Sequence, residues 1–393
     1  MNDGVGVIMN LSRSTINFAL IYLSLALVAC GSEEISTLNL SDHYGVQSAV
    51  GAGNGFNVTS FNVGFLHGIV PYVDERRHEV INAIKQEETD VICLQEIWLN
   101  SDMLEVKNSL KQTFPFSAEL LPTQFHSAKN PICSIAELTD ILGDAGEAAA
   151  TDYVKCAFEH KDTSSCALTF GQIDSENRLC AEALFSQIAD HGIENLVKIR
   201  ETLLSSDPGR YSFSGSSGLL LLSKKPFIDT STLDFAPVDT AVSRRGVIFA
   251  KIDTDGTPVS IACTHLASNT NLPYPGSHEN WEGEGLAQAK ALIEKAEEFA
   301  NGSEIILTGD FNCGIGNSEK KVLPELESVC NTFTEAGFTD ASSDVECTYC
   351  NYNTTTTEVA PGGDGWLLDH IFVSSGLSAT PSQRVFMDVF EVN

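Results

Sequence analysis

Phe56-Asn57-Val58-Thr59-Ser60-Phe61-Asn62-Val63 and Val91-Ile92-Cys93-Leu94-Gln95-Glu96-Ile97-Trp98 are two apolar runs of strand length, each ending in polar side chains. Between them, Asp74 to Glu87 repeats apolar residues at helical spacing, so the stretch reads as strand, helix, strand. The same grammar continues outward. Gly218 to Ser223, Gly246 to Ile252, Val259 to Thr264, Glu304 to Thr308 and His370 to Ser374 read as further strands rich in Val, Ile, Leu and Phe, with a helix at Gly285 to Ala300. Strands and helices in alternation imply one layered α/β core. Residues 125–204 interrupt the pattern: they are rich in Ala and Glu, helical in reading, and hold four cysteines. They are expected to form an inserted helical subdomain.

The chain has 393 residues, 42% of them hydrophobic, and 23 Lys and Arg against 53 Asp and Glu give a net charge of -30. That apolar content supports a large core and excludes a charge-swollen disordered chain. The acidic balance excludes a scaffold that holds nucleic acid mainly by neutralising phosphates. The 30 Gly and 13 Pro are scattered without a period, which excludes collagen-like and repeat architectures.

Ser14 to Ala29 is a charge-free, mostly apolar run preceded by Arg13 and followed by Cys30-Gly31. It is short for a bilayer span and right for the apolar region of a signal peptide. Leu27-Val28-Ala29-Cys30 resembles the lipobox of bacterial lipoproteins, which implies a signal at residues 1–29, an acylated Cys30 and an anchor linker at 30–38. Met1 and Met9 are both possible starts. Gly31 lacks the charge of an inner-membrane retention signal, so the expected location is the outer membrane or cell surface. Export would let cysteines pair. Cys133, Cys156, Cys166 and Cys180 are therefore expected to staple the insertion, while Cys347-x2-Cys350 suits a disulfide or free thiols better than zinc. Cys93 and Cys263 lie inside apolar strands and read as small buried hydrophobes.

The chemistry lies at the strand ends. Asn62 and Glu96 end the first two strands, His265 follows the run Ile261-Ala262-Cys263-Thr264, Gly309-Asp310-Phe311-Asn312 follows another, and Leu368-Asp369-His370-Ile371-Phe372-Val373 opens the last. Amide and carboxylate oxygens on neighbouring strands suit a hard divalent cation. In this order, and together with Gly218-Leu219-Leu220-Leu221-Leu222-Ser223-Lys224-Lys225-Pro226, the motifs resemble the endonuclease/exonuclease/phosphatase superfamily over about residues 56–120 and 211–390. The resemblance implies a DNase-I-like four-layer α/β sandwich, two central sheets flanked by helices, spanning 39–393.

That family normally closes with Ser-Asp-His-(aromatic)-x-Val, yet Arg384 to Val392 contains no such ending. The motif stands at the other end, as Leu40-Ser41-Asp42-His43-Tyr44-Gly45-Val46. A circular permutation that moves the last strand to the front is expected, because domain termini commonly lie close together on the surface. The resemblance then implies Mg2+, with Mn2+ or Ca2+ as alternatives, held by Glu96 with Asn62 and Asp42 beside it. It implies that Asp369 orients His43, that Asp310 and Asn312 orient water and phosphate, and that His265 polarises the phosphate or protonates the leaving group. Whether His43 or Asp310 is the base stays open. His370 is excluded because neighbouring strand residues face opposite ways.

For substrate, Ser243-Arg244-Arg245-Gly246, Thr264-His265-Leu266 and the helical Gln288 look most like the neutral sphingomyelinase branch, although Ala267-Ser268 stands where that branch often has Gln. The expectation is a monomeric, lipid-anchored phospholipid phosphodiesterase. The alternatives are a secreted nuclease of the same fold and a lipoprotein that binds without catalysis.

Overall fold

Apolar strands with two buried faces need cover on both sides, and this chain supplies it with a second sheet on one side and helices on the other. The computed structural model describes residues 36–51, 55–67, 70–123, 133–142, 180, 187, 196–204, 211, 213–236, 243–254, 256–269, 278–356 and 363–392. In chain order the first half contains β1 (Ser36–Asn39), β2 (Gly45–Val50), β3 (Phe56–Phe65), α1 (Val73–Gln86), β4 (Val91–Ile97), α2 (Asn100–Leu110), β5 (Phe116–Glu119), α3 (Ile135–Leu142) and α4 (Leu196–Leu203). It continues through β6 (Leu220–Ser223), β7 (Phe227–Asp234), β8 (Gly246–Thr254), β9 (Thr257–His265), α5 (Trp281–Ala300) and β10 (Glu304–Asp310). The last part holds β11 (Val322–Leu323), α6 (Glu327–Glu335), β12 (Thr339–Asp340), β13 (Tyr349–Cys350), β14 (Gly365–Trp366), β15 (Asp369–Val373), β16 (Gln383–Val385) and β17 (Val389–Val392).

Residues 38–390 form one compact unit. Two six-stranded sheets organise the larger unit. The first runs β16-β2-β3-β4-β6-β5 and the second β12-β15-β10-β9-β8-β7. Val46, Val58, Val91 and Leu221 of the first meet Ile248, Ile261, Ile306 and Ile371 of the second in a shared apolar core. Val80, Ile84, Val106 and Leu110 of α1 and α2 cover the outer face of the first sheet. Leu292, Ala296 and Phe333 of α5 and α6 cover that of the second. The expected four-layer sandwich is the observed architecture.

β2 pairs antiparallel with both β3 and β16, so Val46 lies opposite Ser60 on one side and Arg384 on the other. Residues 41–44, expected as part of this strand, enter it as an irregular segment with a single bridge from His43 to Tyr349. The anchor sequence at 1–35 and most of the 125–204 insertion, including Cys156 and Cys166, lie outside the described residues. Among the described residues no helix is long and apolar enough to cross a membrane.

The cysteines depart from one expectation. Cys93 and Cys263 are not isolated buried thiols: β4 and β9 face each other across the core, and the two sulfurs are joined. Cys330, which lies nearer in sequence to Cys347 and Cys350 than to the cysteines of the insertion, pairs with Cys313, because α6 packs over the loop that follows β10. Cys347 and Cys350 bond to each other, and Cys133 bonds to Cys180 within the insertion.

Candidate active site

The parallel strands β3 and β4 end side by side, with Asn62 opposite Gln95 and Phe65 opposite Ile97. Val63 and Gly64 therefore face Glu96 alone, a bulge that bends the strand and re-aims a side chain. Both partners use left-handed backbone there, with φ of 58° at Gly64 and 61° at Glu96. A side chain at position 64 would push Asp42 aside, since a Cβ would lie 2.5 Å from Asp42 Oδ1. The missing Cβ is what lets Asp42 approach the end of β3.

In the second sheet, β10 runs parallel to β9 and antiparallel to β15, which sets Asp310 directly opposite both His265 and Asp369. The ends of the two sheets meet at a seam, where Asp310 is the hub. Its Oδ1 accepts from the Asn312 backbone N–H at 2.9 Å, and its Oδ2 accepts from Asn62 Nδ2 at 3.0 Å. His265 Nε2 lies 3.6 Å from Asp310 Oδ2 and 4.0 Å from Glu96 Oε1. His43 Nδ1 donates to Asp369 Oδ2 at 2.8 Å and stands 3.9 Å from Asp310. Asn312, itself left-handed at φ 48°, donates from Nδ2 to the Leu266 carbonyl and so ties the loop after β9 to the loop after β10.

Charge in this buried seam is dominated by carboxylates. Burial alone would pull the His43 imidazolium down, but Asp369, Asp310 and Asp42 outweigh it and hold the His43 pKa at about 10. Burial and then Asp42 push the Glu96 carboxyl up to about 7, and burial and then Asp369 push Asp310 up to about 6. His265 is driven well below its ordinary value by burial and by the positive charges of Arg245 and His43, so it is a neutral imidazole.

These groups fit a hard divalent ion. Glu96 and Asp42 crowd like charges together with the Asn62 amide, and Asp369 Oδ1 is buried with no hydrogen-bond partner. Oxygen donors short of positive charge are the set that Mg2+, Mn2+ or Ca2+ takes. Cys313, Cys330 and His370 also cluster, but those two cysteines are bonded to each other and offer no thiolate.

All eight residues singled out in the sequence, Asp42, His43, Asn62, Glu96, His265, Asp310, Asn312 and Asp369, meet at this seam. His370 points away, with Nδ1 bonded to Asp340 and Nε2 to the Cys313 carbonyl on the opposite face of β15. Sequence reasoning missed two arginines. Arg76 reads as an exposed charge on α1, yet it is fully buried and donates to the carbonyls of Leu40, Val63, Gly64 and Pro71. Arg245 is buried with its guanidinium 5.6 Å from the Trp98 ring centre, close enough to act on Glu96 and His265. Its place just before β8 was visible, its role was not. Asn353 and Thr354 also hold the 39–42 segment, bonding to the Ser41 carbonyl and to Asn39.

Residues 59–388 match the model of the Endonuclease/Exonuclease/phosphatase family, a span that begins past Asp42 and His43. No curated protein matches the chain by sequence. Among solved structures, sphingomyelinase C from Streptomyces griseocarneus is 15% identical, with 84% of each chain covered and a TM-score of 0.48. An endonuclease/exonuclease/phosphatase from Bacteroides vulgatus is 14% identical, over 84% of this chain and 87% of that one, with a TM-score of 0.42. A beta toxin variant from Staphylococcus aureus with bound magnesium ions is 12% identical, over 85% and 84%, with a TM-score of 0.42.

Proposed function

The chain belongs to the endonuclease/exonuclease/phosphatase family, metal-dependent phosphoester hydrolases, and from that premise we propose that it is a phosphodiesterase acting on phospholipids. The observation that carries the reading is the seam itself: an oxygen-rich face at Glu96, Asp42 and Asn62 set against the imidazole and carboxylate face at His43, His265, Asp310 and Asp369. Glu96, with Asp42 and Asn62 beside it, would hold a divalent ion, which would supply positive charge against the oxygens of the phosphate.

The protein groups divide the remaining work by charge. His265 is neutral, so its Nε2–H can donate a hydrogen bond to a phosphoryl oxygen but makes a poor proton donor. His43 carries its proton at neutral pH, whereas Asp310, held at about 6, releases and takes one near neutrality. We therefore assign the base that receives the proton of the attacking water to Asp310, oriented by the backbone N–H of Asn312 and by Asn62. His43, fixed by Asp369, supplies positive charge beside it.

The phospholipid assignment rests on the Arg244-Arg245-Gly246, Thr264-His265-Leu266 and Gln288 pattern, and on a net charge of -30 that repels a polyanion such as DNA. Arg245 adds a buried cation that acts on both Glu96 and His265. The permuted order and the acylated Cys30 belong to the same proposal. Pairing of β2 with β3 and β16 supports the first, and the Leu27-Val28-Ala29-Cys30 tetrad the second. The test is hydrolysis of sphingomyelin, phosphatidylcholine, duplex DNA and an inositol polyphosphate by the purified monomer in Mg2+. Phosphocholine release is expected; cleavage of DNA alone would make it a nuclease, and no hydrolysis of any would make it a binding protein. Mass spectrometry of the N-terminal peptide reads the lipid on Cys30.

A further inference from the structure

Two strands from different sheets bring Glu96 and His265 to the seam, and the same two strands carry Cys93 and Cys263. Cys263 lies two residues before His265, on the same face of β9. Cys93 lies three residues before Glu96, whose direction is set by the left-handed bulge rather than by strand alternation. Cys93 Sγ also sits 3.5 Å from the Thr308 carbonyl, two residues before Asp310, and Gln95 Nε2 reaches back to the same sulfur at 2.8 Å. The bond thus abuts the three strands that deliver Glu96, His265 and Asp310. Strand rise places it roughly 7 Å beneath His265.

Among the described residues this is the one covalent link between the two sheets. Everything above it is held by non-covalent contacts across the seam, such as Asn62 to Asp310 at 3.0 Å and His265 to Glu96 at 4.0 Å. The disulfide fixes the offset of β4 from β9 covalently, directly beneath those contacts. We infer that the Cys93–Cys263 disulfide is a positioning element that locks the two halves of the active site in register, so that the site becomes competent only when this bond has formed.

This inference rests on the active-site reading above. Bond formation converts two thiols to one disulfide and passes two electrons and two protons to a disulfide-bearing oxidant, which leaves as a dithiol. Without it, two thiols, which stand farther apart than bonded sulfurs, must share a fully buried space, and the strands above must shift. Both cysteines are fully buried, so a reductant in solution cannot reach the finished bond. A chain folded in a reducing compartment would stay nearly inactive, and one folded in an oxidising compartment would stay locked on.

The test uses the whole chain with both residues replaced in two ways, C93A/C263V and C93V/C263A, each restoring most of the lost volume on a different side. Turnover and KM on bis(p-nitrophenyl) phosphate, Mg2+ affinity by titration calorimetry, and Tm are measured, with E96Q as the metal-site control. The expected result is a folded variant with kcat down by about 100-fold, the cost of an ångström-scale misplacement, KM nearly unchanged and Mg2+ binding clearly weakened. A folded variant with kcat and Mg2+ affinity within about threefold of the parent, whatever its Tm, would overturn the inference. So would failure of both variants to fold, which would make the bond a prop for the fold alone. If the parent hydrolyses no phosphodiester, the functional reading fails by itself, and the Mg2+ titrations still decide whether the bond sets the site.

Discussion

Removing the charge of Asp369 isolates the buried pair on which the site depends. Asp369 is fully buried, and its Oδ2 receives the His43 Nδ1–H at 2.8 Å. Burial by itself lowers the His43 pKa, yet Asp369, with help from Asp310 and Asp42, holds it at about 10 against an ordinary 6.5. That difference corresponds to about 5 kcal/mol in favour of the imidazolium, shared among the three carboxylates, so Asp369→Asn, which removes the largest share, should bring the His43 pKa down toward neutrality. If the positive charge beside Asp310 is needed in the transition state, most of that energy is lost from it, and kcat should fall by roughly 10³- to 10⁴-fold. His43→Gln should cost about as much, and the double variant little more than either, because the two groups act as one unit. The assay is single-turnover hydrolysis of bis(p-nitrophenyl) phosphate in saturating Mg2+, with Tm followed in parallel. Multiplying effects, with the double variant near the product of the singles, would show that the two residues act independently. A retained kcat in Asp369→Asn would refute the charge argument outright.

Glu96→Gln should abolish tight Mg2+ binding by calorimetry and lower turnover by several orders of magnitude, since it removes the seam's most metal-directed carboxylate. The metal-free protein should lose stability as pH rises. Glu96, Asp310 and His43 all have folded pKa values above their ordinary ones, at about 7, about 6 and about 10. Their contribution is complete below the unfolded values and is lost on passing through the folded ones, with about 3 kcal/mol from Glu96 alone between pH 4 and 8. Tm in EDTA should fall across that range, and Mg2+ should restore most of it at the upper end; a Tm flat in pH would contradict the sign. Arg76→Met should destabilise by about 3–5 kcal/mol in urea unfolding, because three buried carbonyls and one half-buried one lose their donor. A chain beginning at residue 53 should be insoluble, having lost the strand between β3 and β16, whereas one beginning at residue 36 should keep the parental Tm.

Seven strands, the two main helices and all eight candidate site residues could be read from the sequence, and the reason is local. Period-two and helical spacing record which face of an element is buried, and a polar residue that ends an apolar run marks where the chain leaves the core. Nothing local records which strand becomes a neighbour. Cys93 and Cys263 each look like ordinary core residues, and only the stacking of β4 over β9 brings together sulfurs separated by 170 positions. Arg76 has the sequence context of a solvated helix charge, and only the convergence of Leu40, Val63 and Gly64 surrounds it with carbonyls. The order of the last strand is the same kind of question. The motif around His43 could be recognised from its residues, but its 2.8 Å contact with Asp369 exists because β2 lies between β3 and β16. Sequence spacing carries the chemistry of each side chain and the face it occupies; the distance between two of them is decided by how the sheets pair and stack, through contacts made across hundreds of residues.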